Sequence, residues 1–182
     1  FDSAAGVQLR RWEAKQLDLL LKGLQGNAAL QVGLPYGPVL RSASHSFKVC
    51  SMSKSECSGL DTGDSVLWQS FQNFPFRDET FDLIVLVHVL ERSRNYRQTI
   101  DETLRVLAPQ GRVIFLGLNP WGPWWLRKSH HLCEEIYQPI SVDQIKKQIA
   151  GCAIIDRGRF GVYSPSLSED PNRLVSWSCL LY

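Results

Sequence analysis

The stretch Phe74 to Pro120, FPFRDETFDLIVLVHVLERSRNYRQTIDETLRVLAPQGRVIFLGLNP, constrains the fold more than any other part of the chain. Two runs in it, Phe81 to Leu90 and Arg112 to Leu118, are almost continuously apolar. Between them Tyr96, Ile100, Thr103, Leu104 and Leu107 recur at helical spacing. A strand with one wet face would alternate. A continuous run requires helices on both faces, so both runs read as inner, parallel strands. Pro109 and Gly111 are placed to stop the helix, proline because its ring cannot continue one and glycine because it accepts the positive φ of a C-terminal cap. The connection is expected to be a right-handed strand, helix, strand crossover.

These residues also carry a resemblance. Phe74-Pro-Phe-Arg-Asp-Glu-Thr-Phe-Asp82, His88-Val-Leu-Glu91 and Leu104-Arg-Val-Leu-Ala-Pro-Gln-Gly-Arg112 together resemble the second half of a class I S-adenosylmethionine-dependent methyltransferase of the type 11 group. That group is similar to the ubiquinone and menaquinone biosynthesis methyltransferases. Leu116-Gly-Leu-Asn-Pro120, followed by Trp-Gly and Leu126-Arg-Lys128, is similar to one bacterial branch of it. The resemblance implies an α/β architecture: a Rossmann-like, doubly wound, mostly parallel sheet with an antiparallel edge strand.

Size and composition agree with one domain over residues 1–182, since 182 residues at 44% hydrophobic content bury one sizeable core. A net charge of +2 gives no electrostatic case for a nucleic-acid partner. No apolar run approaches the roughly 20 residues that cross a bilayer, so no transmembrane segment is expected. The 5 cysteines, Cys50, Cys57, Cys133, Cys152 and Cys179, are scattered and odd in number, which fits reduced thiols in a cytoplasmic protein.

Taken in order, Leu9, Trp12, Leu17, Leu20, Leu21 and Leu24 predict an amphipathic helix from Val7 to Gly23, with Trp12 in the core. Ala28 to Gly33 reads as the first parallel strand and Leu34 to Gly37 as the loop after it, at the point where a doubly wound sheet reverses its strand order and binds ligands. The resemblance places the cofactor's methionine part on this loop, over an acid followed by alternate glycines. In this chain those positions are Gln31, Gly33, Pro35 and Gly37. Glycine suits such a loop because a side chain would collide with the ligand or demand an unfavourable φ, whereas Pro35 fixes φ and removes a donor.

His45 to Cys50 is expected as the second strand, and Ser65 to Gln69 as the third. By resemblance, the end of the second meets the ribose, where Ser51 stands in place of an acid, and the end of the third meets the adenine, at Ser70 and Phe71. His88 falls at the carboxyl end of the fourth strand, facing the cleft. It is the candidate for ligand contact and for a general base near neutral pH, with Leu90 and Glu91 beside it on the cleft wall. Asp82 is expected to cap turn amides. Trp121, Trp124 and Trp125 sit in a Gly- and Pro-containing turn suited to the substrate side or to contact with a protein or membrane surface. Ser141-Val-Asp-Gln144 predicts a helix N-cap. Cys152 to Tyr163 and Leu174 to Tyr182 hold the last strand candidates.

Two functions follow. One is a methyltransferase acting on a small-molecule substrate, with S-adenosylmethionine as cofactor and His88 as its catalytic candidate. The other is a pseudoenzyme that keeps the fold, with cofactor binding weakened or lost, and serves a binding or regulatory role. The neutral residues Gln31, Cys50 and Ser70 and the ring of Pro35 are the basis of the second. A dinucleotide-dependent oxidoreductase is disfavoured by the lack of G-x-G-x-x-G spacing, and a hydrolase by the lack of a G-x-S-x-G elbow.

Overall fold

The computed structural model describes residues 4–33, 39–52, 65–68, 70–118, 140–150, 159–161 and 178–181. Its centre is β4, Phe81–Val87, in which every residue but Asp82 is buried. The pleat sends Ile84 and Leu86 to one face of the sheet and Leu83, Val85 and Val87 to the other. Each face meets its own helices. Helix α2, Tyr96–Val106, and helix α3, Val142–Ile149, cover the first through Ile100, Val106, Ile145 and Ile149. Helix α1, Ala4–Leu21, covers the second through Leu17 and Leu21. Continuous apolarity in β4 is thus the mark of a strand with two cores, as expected.

The remaining strands are β1, Gln25–Gly33; β2, Ser44–Met52; β3, Ser65–Trp68; β5, Leu107–Leu118; β6, Arg159–Gly161; and β7, Ser178–Leu181. They form one seven-stranded sheet in the order β3-β2-β1-β4-β5-β7-β6. Strands β1 to β5 are parallel, and β7 runs antiparallel to both β5 and β6. The chain moves outward from β1 to β3 and then returns across β1 to β4. The reversal therefore lies between β1 and β4, whose register pairs Leu30 with Ile84 and Gly33 with Val87.

Local chemistry sets the element ends. Helix α1 stops where Gly23 takes φ +92°, and Leu24 N donates to Leu21 O at 3.0 Å before the chain enters β1. Helix α2 starts at Asn95, whose side chain accepts from Gln98 N, and α3 starts at Ser141 in a full capping box with Gln144.

Several boundaries differ from those the sequence predicts. The fourth strand ends at Val87, not Leu90, because His88 adopts φ +51° and turns the backbone off the sheet after one last bond to Leu116 O at 2.8 Å. Val89 and Leu90 are apolar because they plug the core beyond the strand. The left-handed residue after α2 is Gln110, at φ +64°, not Gly111. Gly111 is needed there for space: a Cβ on it would lie 2.8 Å from Ala108 O. Asp82 caps no turn of its own. Its Oδ2 accepts Asn27 N at 2.6 Å and Ala28 N at 3.0 Å across the sheet, locking β4 to the start of β1. Those two backbone bonds, Ala28 first, hold its carboxyl below the usual range. Trp12 is half-buried and stands outside both core clusters.

Candidate functional site

At the reversal between β1 and β4 the chain turns twice within a few ångströms. Gly33 closes β1 with φ +94°, and a Cβ there would overlap the Val87 carbonyl oxygen and come 2.6 Å from Val89 Cγ2. No other residue type fits so near a neighbouring strand in that conformation. His88 begins the second turn in its own left-handed conformation. Gly33 and His88 thus stand side by side at the carboxyl edge of the sheet, where an open α/β sheet binds its ligand.

Behind the glycine, Gln31 is 1% exposed and lies in register with Cys50 of β2 and Val85 of β4. Ser51 is the partner of Val32 in the next register position. Pro35 and Gly37 lie outside the described residues, as do Trp121, Trp124 and Trp125. Beyond β3, Ser70 is exposed and its hydroxyl accepts Gln72 N at 3.3 Å. Phe71 belongs to the core, with the Arg92 guanidinium 5.9 Å from its ring centroid. Gln72 Nε2 donates to Ser93 Oγ at 3.3 Å, so the segment after β3 is stitched to the segment after β4. Leu90 is buried in the same core.

The densest electrostatics surround His88, which is 1% exposed. Its Nδ1 lies 3.2 Å from Glu91 Oε1, and its Nε2 lies 3.2 Å from both carboxylate oxygens of Glu13 on α1. Burial by itself pulls the imidazolium pKa down and is the largest single influence. The charge and hydrogen bonds of Glu13, then those of Glu91, together outweigh it and raise the pKa to about 10. With an N–H at each nitrogen the ring has no lone pair to take a proton near neutrality. This is the arrangement of a bridge between two carboxylates, whereas a general base needs a free nitrogen.

Glu13 is thus a residue of this cluster that reading the sequence for function did not single out, and Glu91, expected on the cleft wall, is the second partner of the His88 ring. A signal for Glu13 was present: with Leu9, Leu17 and Leu21 it forms an i, i+4 row, so an acid stands on the buried stripe of α1. Glu91 also borders a small hollow whose walls include Leu86, Leu90, Phe115, Ile140 and Ile145. Its carboxylate is 3.3 Å from where a Cβ on Gly117 would sit.

Comparison with known proteins agrees with this geometry. Residues 39–115 match the methyltransferase domain family. An uncharacterized protein of Methanocaldococcus jannaschii is 31% identical over 70 residues, covering 38% of this chain and 27% of that protein's length. A SAM-dependent methyltransferase from Archaeoglobus fulgidus superposes with a TM-score of 0.71 at 10% identity, covering 94% of this chain and 92% of that one. One from Thermotoga maritima gives 0.69 at 13% identity, covering 97% and 83%. A chain from the complex of the Haloferax volcanii Trm112 methyltransferase activator with a methyltransferase gives 0.70 at 15%, covering 97% and 90%. The fold is that of the class I S-adenosylmethionine-dependent methyltransferases. Among the described residues no helix is long and apolar enough to cross a membrane.

Proposed function

We propose that this chain is an S-adenosylmethionine-dependent methyltransferase acting on a small-molecule acceptor in the reducing cytoplasm, as one domain over residues 1–182. The observation that carries this reading is the Gly33 turn at the sheet reversal, packed so closely on Val87 that only glycine serves. The resemblance assigns the cofactor contacts. Gln31, Gly33, Pro35 and Gly37 would carry its methionine part, Ser51 the ribose, and Ser70 with the edge of Phe71 the adenine, while His88 and Leu90 close the floor. When bound, the cofactor supplies an electrophilic methyl group.

The protein's share of such a reaction is alignment and exclusion of water, and neither needs an acid or a base. Val87, Val89 and Leu90 keep the floor apolar. His88 serves by holding the turn in place.

The second reading, a methyltransferase fold turned to binding or regulation, is favoured by Gln31, a neutral side chain buried where the resemblance puts an acid. Calorimetric titration with S-adenosylmethionine and S-adenosylhomocysteine separates the two. Saturable heat at micromolar ligand supports the enzyme, and none up to millimolar supports the alternative. Changing Pro35→Gly and Ser70→Asp together should tighten binding; unchanged affinity would place the pocket elsewhere.

A further inference from the structure

We propose that Glu13, His88 and Glu91 form an ionic clip that seats α1 over the carboxyl ends of β1 and β4, so that Glu13 and Glu91 are positioning residues for the ligand-binding turn at Gly33. The effect on ligand binding rests on the function proposed above, whereas the seating of α1 belongs to the chain by itself.

The geometry begins with direction. Gly23 joins the end of α1 to the start of β1, so the helix runs back along the sheet and its earlier turns lie toward the carboxyl edge. Leu17 and Leu21 fasten its later turns to the sheet face. Glu13 fastens the turn before them, and it does so with a carboxylate that is 1% exposed. Glutamate is almost never fully buried unless paired, since a buried charge costs several kcal/mol without compensation. Its compensation is the His88 ring, bound from the other side by Glu91. Among the described residues these two carboxylates, one from α1 and one from the loop after β4, are the charges that face the ring.

An apolar trio of equal volume would hold a helix to a sheet at least as firmly. What it would not do is define position, because apolar faces slide whereas Glu13 meets His88 only at one turn of the helix. His88 shares the point where β4 leaves the sheet beside Gly33, so the clip ties the helix directly to the turn that carries the site.

Three readouts on the full chain test this. Nitrogen-15 spectra of labelled histidine at about pH 8 should show both His88 ring nitrogens protonated in the wild type and a neutral ring in Glu13→Gln. Hydrogen exchange across residues 11–21 should then run about tenfold faster or more in Glu13→Gln, with Ala29 to Val32 unchanged. Lys15→Gln, an exposed charge change on the same helix, should alter neither. S-adenosylhomocysteine affinity should fall about tenfold in Glu13→Gln. A neutral His88 in the wild type, or unaltered exchange in α1, overturns the clip. Loosened α1 with unaltered affinity overturns its positioning role. Should Glu13→Gln fail to fold, the wild-type spectrum and Glu91→Gln, which keeps an acceptor for Nδ1–H, decide the question. A wild type that binds no S-adenosylhomocysteine removes the proposed function and leaves the clip to the exchange data.

Discussion

Gly33 shows how much one missing side chain can decide. Its φ of +94° and the Val87 carbonyl leave no room for a methyl group, so Gly33→Ala should destabilise the protein by about 1–3 kcal/mol, read as a lower urea midpoint. An unchanged midpoint would mean that the turn is elsewhere. This residue was legible in the sequence because the need for glycine at a sheet reversal is general. His88 was legible as a residue at the carboxyl end of the fourth strand, but its two partners were not. A histidine at a strand end looks the same whether it faces a substrate or two carboxylates, and one of those carboxylates, Glu13, is 75 positions away. Glu13 itself reads as one more charge on an amphipathic helix until Leu17 and Leu21, one and two turns further on, are seen to be core.

At the scale of elements, the segment before β4 is organised by one side chain of α2. Arg105 donates to Phe74 O at 3.0 Å, to Phe76 O at 2.9 Å, to Asp78 Oδ1 at 2.6 Å and to both oxygens of Glu102. The Glu102 and Asp78 hydrogen bonds raise its pKa further above an already high value, so it is charged throughout. Arg105→Ala should cost about 2 kcal/mol, discounted for its partial exposure, and should speed exchange at Phe74 N, which donates to Glu102. Exchange at Phe74 equal to wild type would show that the loop holds itself. The pattern FPFRDETF was recognisable as a motif in the sequence, yet its anchor was not, because a guanidinium that gathers two backbone carbonyls and two carboxylates leaves no periodic trace. Strands β1, β2, β4 and β5 were legible from apolarity alone. Their ends were not, since Val89 and Leu90 are as apolar as a strand while serving as a plug, and the positive φ falls at Gln110, early in β5, where glycine was expected one residue later.

Across the whole molecule, the two apolar runs marked inner parallel strands, and the resemblance implied the doubly wound order. The same sheet carries a pH dependence with opposite signs at its two edges. His88 has a folded pKa of about 10 against an ordinary 6.5, so its stabilisation is complete below pH 6.5 and drains away as pH rises through about 10. At the other edge Asp82, held down by the Ala28 and Asn27 amides, and on α2 Glu102, held down chiefly by Arg105, contribute above the usual carboxylate range and lose that contribution as pH falls through their depressed values. Urea midpoints should therefore fall in both directions from a plateau between roughly pH 5 and 7. A midpoint flat from pH 7 to 10 would mean that His88 is not an imidazolium.

An adenosyl sulfonium cradle at the carboxyl edge is tested most directly by backbone amide spectra of the labelled protein as S-adenosylhomocysteine is added. Shifts should concentrate at Leu30 to Gly33, Ser70 to Phe71 and Val87 to Glu91, and leave Asn27, Asp82 and Glu102 still. Shifts gathered at Asn27, Asp82 and Glu102, or none at saturating ligand, would contradict it.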